Sequence, residues 1–325
     1  MFSLNTYEVK MARIIFILAI LISYMSLTCF NAYSGNSSRP GDKVKTRPAA
    51  VAGSFYPGKT EDLKKAVDIL LKNSGQKADN LKIFAAMAPH AGYVFSGRIA
   101  ALTFKNIADI DFDTIIIIGH DSFGDAVAYT CPVDYFETPL GKMPVDMDMI
   151  NKMYSYNKGI KPETSMHRSD HTIEIQLPFL QAMNKKCKIL PVMFGYPSPE
   201  NCKILADAIK YAAGDKKIFI LASTDMSHYP AYEGANKMDN ISLDMIRTMD
   251  IEKFFRHVYK QLKEPQLPGL QTAICASGGV GTAMLYAKEM GADTALVLRY
   301  ANSGDVPAGD KKRVVGYSSV LFIKK

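Results

Sequence analysis

Two stretches of the chain, Thr114-Ile115-Ile116-Ile117-Ile118 and Ile218-Phe219-Ile220-Leu221-Ala222, are apolar at nearly every position. A strand with one wet face alternates apolar and polar residues, so strands of this kind need cover on both faces. Amphipathic stretches at helical spacing stand between such runs and can supply that cover. The pattern predicts strands over 83–88, 114–118, 188–194, 218–222, 294–299 and 314–323. It predicts helices over 61–72, 97–106, 147–156, 171–183, 199–213, 236–249, 251–262 and 277–290. The sum is an α/β fold with helices on both faces of a mostly parallel or mixed sheet. No Pro- or Ser-rich linker and no internal repeat interrupts residues 49–325, which read as a single domain.

What precedes that domain is different in kind. Residues 14–30 are an uncharged, mostly apolar run behind Lys10 and Arg13, and a polar segment follows. This is the anatomy of an export signal, with Ala32-Tyr33-Ser34 supplying small residues for cleavage before Gly35. Residues 1–34 therefore read as a signal peptide or membrane anchor and 35–48 as a polar linker. An uncleaved anchor and a lipidated Cys29 are the rivals to cleavage. The implied place is exported, periplasmic or extracytoplasmic, or held at the membrane by the leader. The net charge of +7 invites a nucleic-acid partner, but residues 1–48 hold six basic residues against two acidic and so carry more than half of it. No block of Lys and Arg interleaved with aromatics follows residue 48, so the sequence gives no support to nucleic acid. Five cysteines share no metal-finger spacing, and Cys187 and Cys202 could pair in an oxidising compartment.

In open α/β sheets the ligand crevice lies beyond the carboxyl ends of the strands. The first apolar strand runs into Pro89-His90-Ala91-Gly92, the second into Gly119-His120-Asp121-Ser122, and the run ending at Ala222 continues as Ser223-Thr224-Asp225-Met226-Ser227-His228. A lone histidine after a strand is more often a loop residue bonded to a carbonyl than a ligand. Three of them at one sheet edge, with carboxylates, suit an open mixed-ligand site for non-haem iron, copper or zinc. Asp225 and His228, three apart, could form a carboxylate and general base. After Ser169-Asp170, a helix-start signal, His171 and Glu174 fall on one predicted helical face. The bland alternative is a capped first turn in which Glu174 answers the helix dipole. Cys275 precedes Gly278-Gly279-Val280-Gly281 at the start of a helix, where a thiolate would be favoured; otherwise it is a small buried hydrophobe. The glycines form neither a P-loop nor a dinucleotide turn, and no Gly-x-Ser-x-Gly elbow exists. His167 and His257 read as a loop and a helix-surface residue.

Together these segments resemble the MEMO family, known in prokaryotes as AmmeMemoRadiSam system protein B. The marks are AVAGSFYPG, APHAGYVFSG, DHTIEIQLPFLQ, PVMFG, STDMSHY, the Cys275 segment and YANSGDVPAGDKKRVVGY, spread over residues 46–325. The resemblance implies a fold like that of class III extradiol dioxygenases, with a metal in the equivalent pocket. It places two ligands on His90 and Cys275, with Asp225 and His228 beside the metal. The family pattern sets the second histidine three positions past the glycine, where this chain has Ser122. Its own histidine, His120, is one position past Gly119: either it reaches the metal by a different loop path, the preferred reading, or this ligand is missing and the site is weaker. A cysteine in place of the dioxygenases' glutamate softens the site toward copper, zinc or redox chemistry.

The expectation is a metal-binding protein, a non-haem iron- or copper-dependent redox or dioxygenase-like enzyme of unknown substrate. His90, His120 and Cys275 would hold the metal, His228 would act as acid/base, and Asp225 and His171 would join the catalytic set. A zinc hydrolase is a weaker variant. The rival is a non-catalytic protein that recognises a peptide or modified partner in a vestigial pocket. AMMECR-like and radical-SAM proteins are partners implied by the resemblance alone.

Overall fold

A computed structural model of the chain describes residues 44–325. The apolar leader and the lipidation candidate Cys29 lie outside the described residues, as does most of the polar segment. Among the described residues no helix is long and apolar enough to cross a membrane.

The frame is an eight-stranded mixed sheet in the order β10-β11-β2-β9-β3-β8-β4-β7. Its centre is parallel: β2 (Lys82–Ala88), β9 (Ile218–Ser223), β3 (Thr114–Asp121) and β8 (Lys188–Phe194). β11 (Gly316–Lys324) runs antiparallel to β2, and β10 (Thr294–Asn302) antiparallel to β11. On the far side β4 (Ala128–Thr130) is antiparallel to β8 and pairs with β7 (Ile160–Pro162). Ile115, Ile116, Ile117 and Ile118 are all fully buried, so both faces of β3 are covered, as consecutive apolar residues demand. The helix Ser277–Glu289 lies along β2, β3 and β9, and the helix Tyr93–Ile107 over β2, β10 and β11. At 25 cal/mol per Å² or so, burying each isoleucine of β3 stabilises by roughly 2 kcal/mol.

The expected helices form, most within a few residues of the predicted ends; Tyr232–Arg247 starts four residues early. One prediction fails. Residues 171–183 are not a continuous helix but a 3-10 turn, Glu174–Gln176, leading into a short helix Leu177–Ala182. The break falls at Pro178, which has no N–H to bond the Glu174 carbonyl, and the Glu174 side chain is drawn away into the interior. His171 and Glu174 therefore do not share a helical face.

Glu174 is fully buried and accepts from the Arg47 guanidinium, the Tyr56 hydroxyl and the N–H groups of Ala50 and Val51. Arg47 also donates to the carbonyls of His167 (2.8 Å) and Asp170. Thr46–Arg47 is itself a strand, β1, in a small sheet with β5 (Tyr135–Thr138) and β6 (Gly141–Pro144). The last residues of the segment read as polar linker are thus part of the fold. Cys187 and Cys202 do not pair: both are free and buried, and the Cys202 thiol points at the Gly278 carbonyl, 3.4 Å away. His167 is no loop residue either. It lies buried in a short helix, Thr164–Arg168, with Nε2 at 3.3 Å from the Tyr129 carbonyl. His257 is half-buried, its Nε2 2.8 Å from the Ser242 hydroxyl.

Candidate metal centre

Strand order decides which residues meet. Because β9 lies between β2 and β3, the residues after β2 and those at the end of β3 flank the residues after β9 at one carboxyl edge. His90 follows β2, His120 is the penultimate residue of β3, and Asp225 and His228 follow β9. The β3–β8 register shifts between Ile118 and Asp121, a bulge at Gly119-His120 that re-aims the chain there. Gly119 is required at that bulge, since a Cβ would collide with Thr172 Oγ1 and come within 3.1 Å of Thr172 Cβ. Cys275 arrives from another direction. Its N–H donates to the Asp225 carbonyl (3.1 Å), and the next N–H, of Ala276, donates to Thr224 Oγ1 (2.9 Å).

His90, His120 and Cys275 each offer a ligand atom, and these atoms all lie within 4.8 Å of one another. The imidazoles of His90 and His120 meet edge to face at 5.0 Å between centroids; His171 stands 5.4 Å from the first and 5.2 Å from the second. Such a group could hold a metal ion. Ser122 is engaged elsewhere: its N–H bonds the Phe194 carbonyl at 2.8 Å and its hydroxyl accepts from Gly124 at 3.3 Å.

The surroundings fix which nitrogen faces inward. His90 Nδ1 lies 3.0 Å from the Ser223 carbonyl, which can only accept, so Nδ1 carries the proton and Nε2 keeps its lone pair. That Nε2 is buried and has no hydrogen-bond partner, and the same is true of His228 Nε2. A buried nitrogen with an unused lone pair costs free energy unless something occupies it, and a cation does so. The peptide N–H of His90 is held by Asp225 Oδ1 at 2.8 Å, and Gln176 Nε2 ties the Pro89 carbonyl (2.9 Å) to the Ser223 hydroxyl (2.8 Å). Asp225 Oδ2 sits 3.8 Å from His90 Nε2 and 3.9 Å from His228 Nε2. Asp170 Oδ1 stands 3.9 Å behind His120 Nδ1.

Burial lowers the pKa of every one of these imidazoles: His90 well below its usual value, His228 to about 4, and His120 and His171 in the same direction. Neutral imidazole is the form that binds metals. Burial also pushes the Asp225 carboxyl up to about 7, against the two N–H groups that bond it. Cys275 departs from the sequence expectation. Its thiol is pushed well above the usual range by burial and then by the carboxylates of Asp225, Asp121 and Asp170. The helix end that was to favour the thiolate is already answered: Asp121 accepts from Ser277 Oγ (2.7 Å) and the Gly278 N–H (3.0 Å). A thiolate here needs a bound cation, which couples its deprotonation to metal binding.

The site opens into a cleft of about 510 Å³ lined by His120, His228 and Cys275 at one end. Asp170, Asp121 and Ser223, which support it, were not anticipated as site residues. Their signal in the sequence is faint: Asp170 and Asp121 each adjoin a histidine of the expected set, and Ser223 stands two positions before Asp225.

The mixed α/β sheet is consistent with an extradiol-dioxygenase-like fold, and the imidazoles and thiol gathered at its carboxyl edge could hold a metal ion. The family model for Memo-like proteins matches residues 47–321. Among similar proteins are MEMO1 family proteins of Archaeoglobus fulgidus, 34% identical over 85% of this chain and 99% of the relative, and of Nitrosopumilus maritimus, 33% identical with the same coverage. That of Methanobrevibacter smithii is 34% identical, again over 85% of this chain and 99% of the relative. The chain belongs to the Memo-like family.

Proposed function

We propose that this protein is a non-haem iron- or copper-dependent redox enzyme, dioxygenase-like in its site, with His90, His120 and Cys275 as the metal ligands. The observation that carries this reading is the buried, unpartnered Nε2 of His90, its tautomer set by the Ser223 carbonyl, within 4.8 Å of the other two ligand atoms. A mixed nitrogen and sulfur donor set favours a redox-active transition metal over magnesium or calcium, and zinc is the weaker alternative. Bound there, iron or copper would supply one-electron chemistry.

The chain's own residues have separate tasks. Asp225 braces the His90 peptide and stands within 4 Å of two imidazoles, so it holds the ligand side of the pocket in register. His228 lines the open cleft with a free nitrogen and can take or give a proton at Nε2. His171 packs on His90, His120 and Phe55 and walls the imidazole cluster without lining the cleft. The leader of residues 1–34 extends the proposal to an exported protein, checked by N-terminal sequencing of the mature form after fractionation. The test of the enzyme reading is oxygen uptake by the metal-loaded full chain with candidate reductants. Uptake that depends on metal and disappears in His90→Ala and Cys275→Ala supports it; tight metal binding without any turnover favours a protein that only binds its partner.

A further inference from the structure

The cleft's outer wall carries a residue that ordinary folding does not explain. Phe123 has φ 55°, the left-handed region that a bulky side chain avoids, and the residue is 56% exposed. It is not there by looseness. The loop is tied to the end of β8 by two backbone hydrogen bonds, Ser122 N–H to the Phe194 carbonyl (2.8 Å) and Phe123 N–H to the Gly195 carbonyl (3.0 Å). Tyr196, also exposed, braces the ring edge to face at 6.3 Å. A strained backbone that holds an apolar ring out in water, next to a candidate reaction site, points to a ring kept for something that enters.

The rest of the wall agrees. Val258, Leu262, Met193 and Ile274 line the same cleft as Phe123, and Leu262 is 37% exposed. No lysine or arginine is among the cleft's lining residues, and its carboxylate, Asp121, is occupied by the helix at Ser277. An anionic group at this end would find no countercharge, whereas an uncharged ring would find an aromatic face and branched aliphatic contacts.

We propose that Phe123 is a specificity-determining residue, presenting its face to an uncharged aromatic group on the substrate that enters the metal cleft. The inference rests on the reading of this cleft as the substrate site. It is separable from that reading, because the outer wall can be tested with the metal removed.

The chain contains no tryptophan, so indole emission excited beyond the tyrosine edge belongs to an added probe alone. The test titrates N-acetyl-tryptophanamide with the full chain, once in chelator and once after metal loading. Saturable binding is expected in both arms, weakened about fivefold or more in Phe123→Ala and Leu262→Ser, and retained in Phe123→Tyr. N-acetyl-O-phosphotyrosine amide is expected not to compete in the chelator arm. Thermal melts of the variants that match the native chain exclude unfolding as the cause, since both side chains are exposed. Absence of saturable binding, equal affinity in Phe123→Ala, or full competition by the phosphorylated amide overturns the proposal. Aromatic binding in a chain that takes up no metal would sink the redox reading and leave this one standing.

Discussion

The start of the described chain carries a buried ion pair, and removing one partner is the sharpest test of how the fold is fastened. In Arg47→Met the aliphatic stem can still pack against Phe136, whose ring centre lies 5.3 Å from the guanidinium carbon. The substitution removes the pairing to Glu174 and the bonds to the His167 and Asp170 carbonyls. Both partners are essentially sealed, with 2% and 0% side-chain exposure, so solvent cannot replace the lost charge. Breaking such a pair costs about 3–5 kcal/mol. Glu174 keeps the Tyr56 hydroxyl and two N–H donors, which argues for the lower part of that range, while the two released carbonyls add about 1 kcal/mol each. A destabilisation of about 5 kcal/mol is expected in denaturant unfolding of the full chain. Arg47→Met with Glu174→Gln should lose less than the sum of the singles, because no uncompensated charge remains. A loss under about 1 kcal/mol in Arg47→Met would refute the reasoning, since a buried carboxylate cannot be stranded so cheaply. Because Arg47 also grips the segment that carries Asp170 behind His120, the same variant should bind metal more weakly.

Three further outcomes follow from the geometry. Gly119→Ala drives a methyl into Thr172 at the bulge that aims His120, so metal affinity should fall at least tenfold while the far end of the sheet is unchanged, checked by equilibrium dialysis and hydrogen exchange. Asp121→Ala removes the acceptor for Ser277 and Gly278 at the helix start and should cost about 1–2 kcal/mol in thermal or denaturant unfolding. Asp239 is buried between the Ser227 N–H (2.9 Å) and the Tyr300 hydroxyl (2.7 Å), and burial raises its carboxyl to about 7. The folded state then holds a proton that the unfolded state releases near pH 4, so this group's contribution falls as pH rises from about 4 through 7. Asp239→Asn should therefore be more stable than the native chain at pH 8 and no more stable at pH 4, read as the melting temperature at each pH.

The parts of this molecule legible in its sequence are those written in local pattern. The consecutive isoleucines of β3 announce a doubly covered strand, and the positions of His90 and His120 at the ends of apolar runs announce that imidazoles gather at one sheet edge. Contacts between distant residues leave no such trace. Nothing near Arg47 says that it will meet Glu174, 127 positions away, and nothing near Asp121 says that it will cap a helix 156 positions later. The strands β4 to β7, three or four residues each, are too short to show a period. The burial of His167 is likewise invisible locally: it comes from packing around Tyr129 and Phe136, not from its neighbours in sequence. The Cys275 thiol shows the limit most clearly. Its place before a helix was visible, but the acid that answers that helix end arrives from β3.

The central claim is that His90, His120 and Cys275 form one metal centre, with His120 rather than Ser122 in the second position. Metal content of the purified full chain, measured beside His120→Ala and Ser122→Ala, tests it most directly. The account predicts about one tightly held iron or copper per native chain, kept in Ser122→Ala and lost in His120→Ala. A native chain that holds no transition metal, or a loss in Ser122→Ala with retention in His120→Ala, would contradict it.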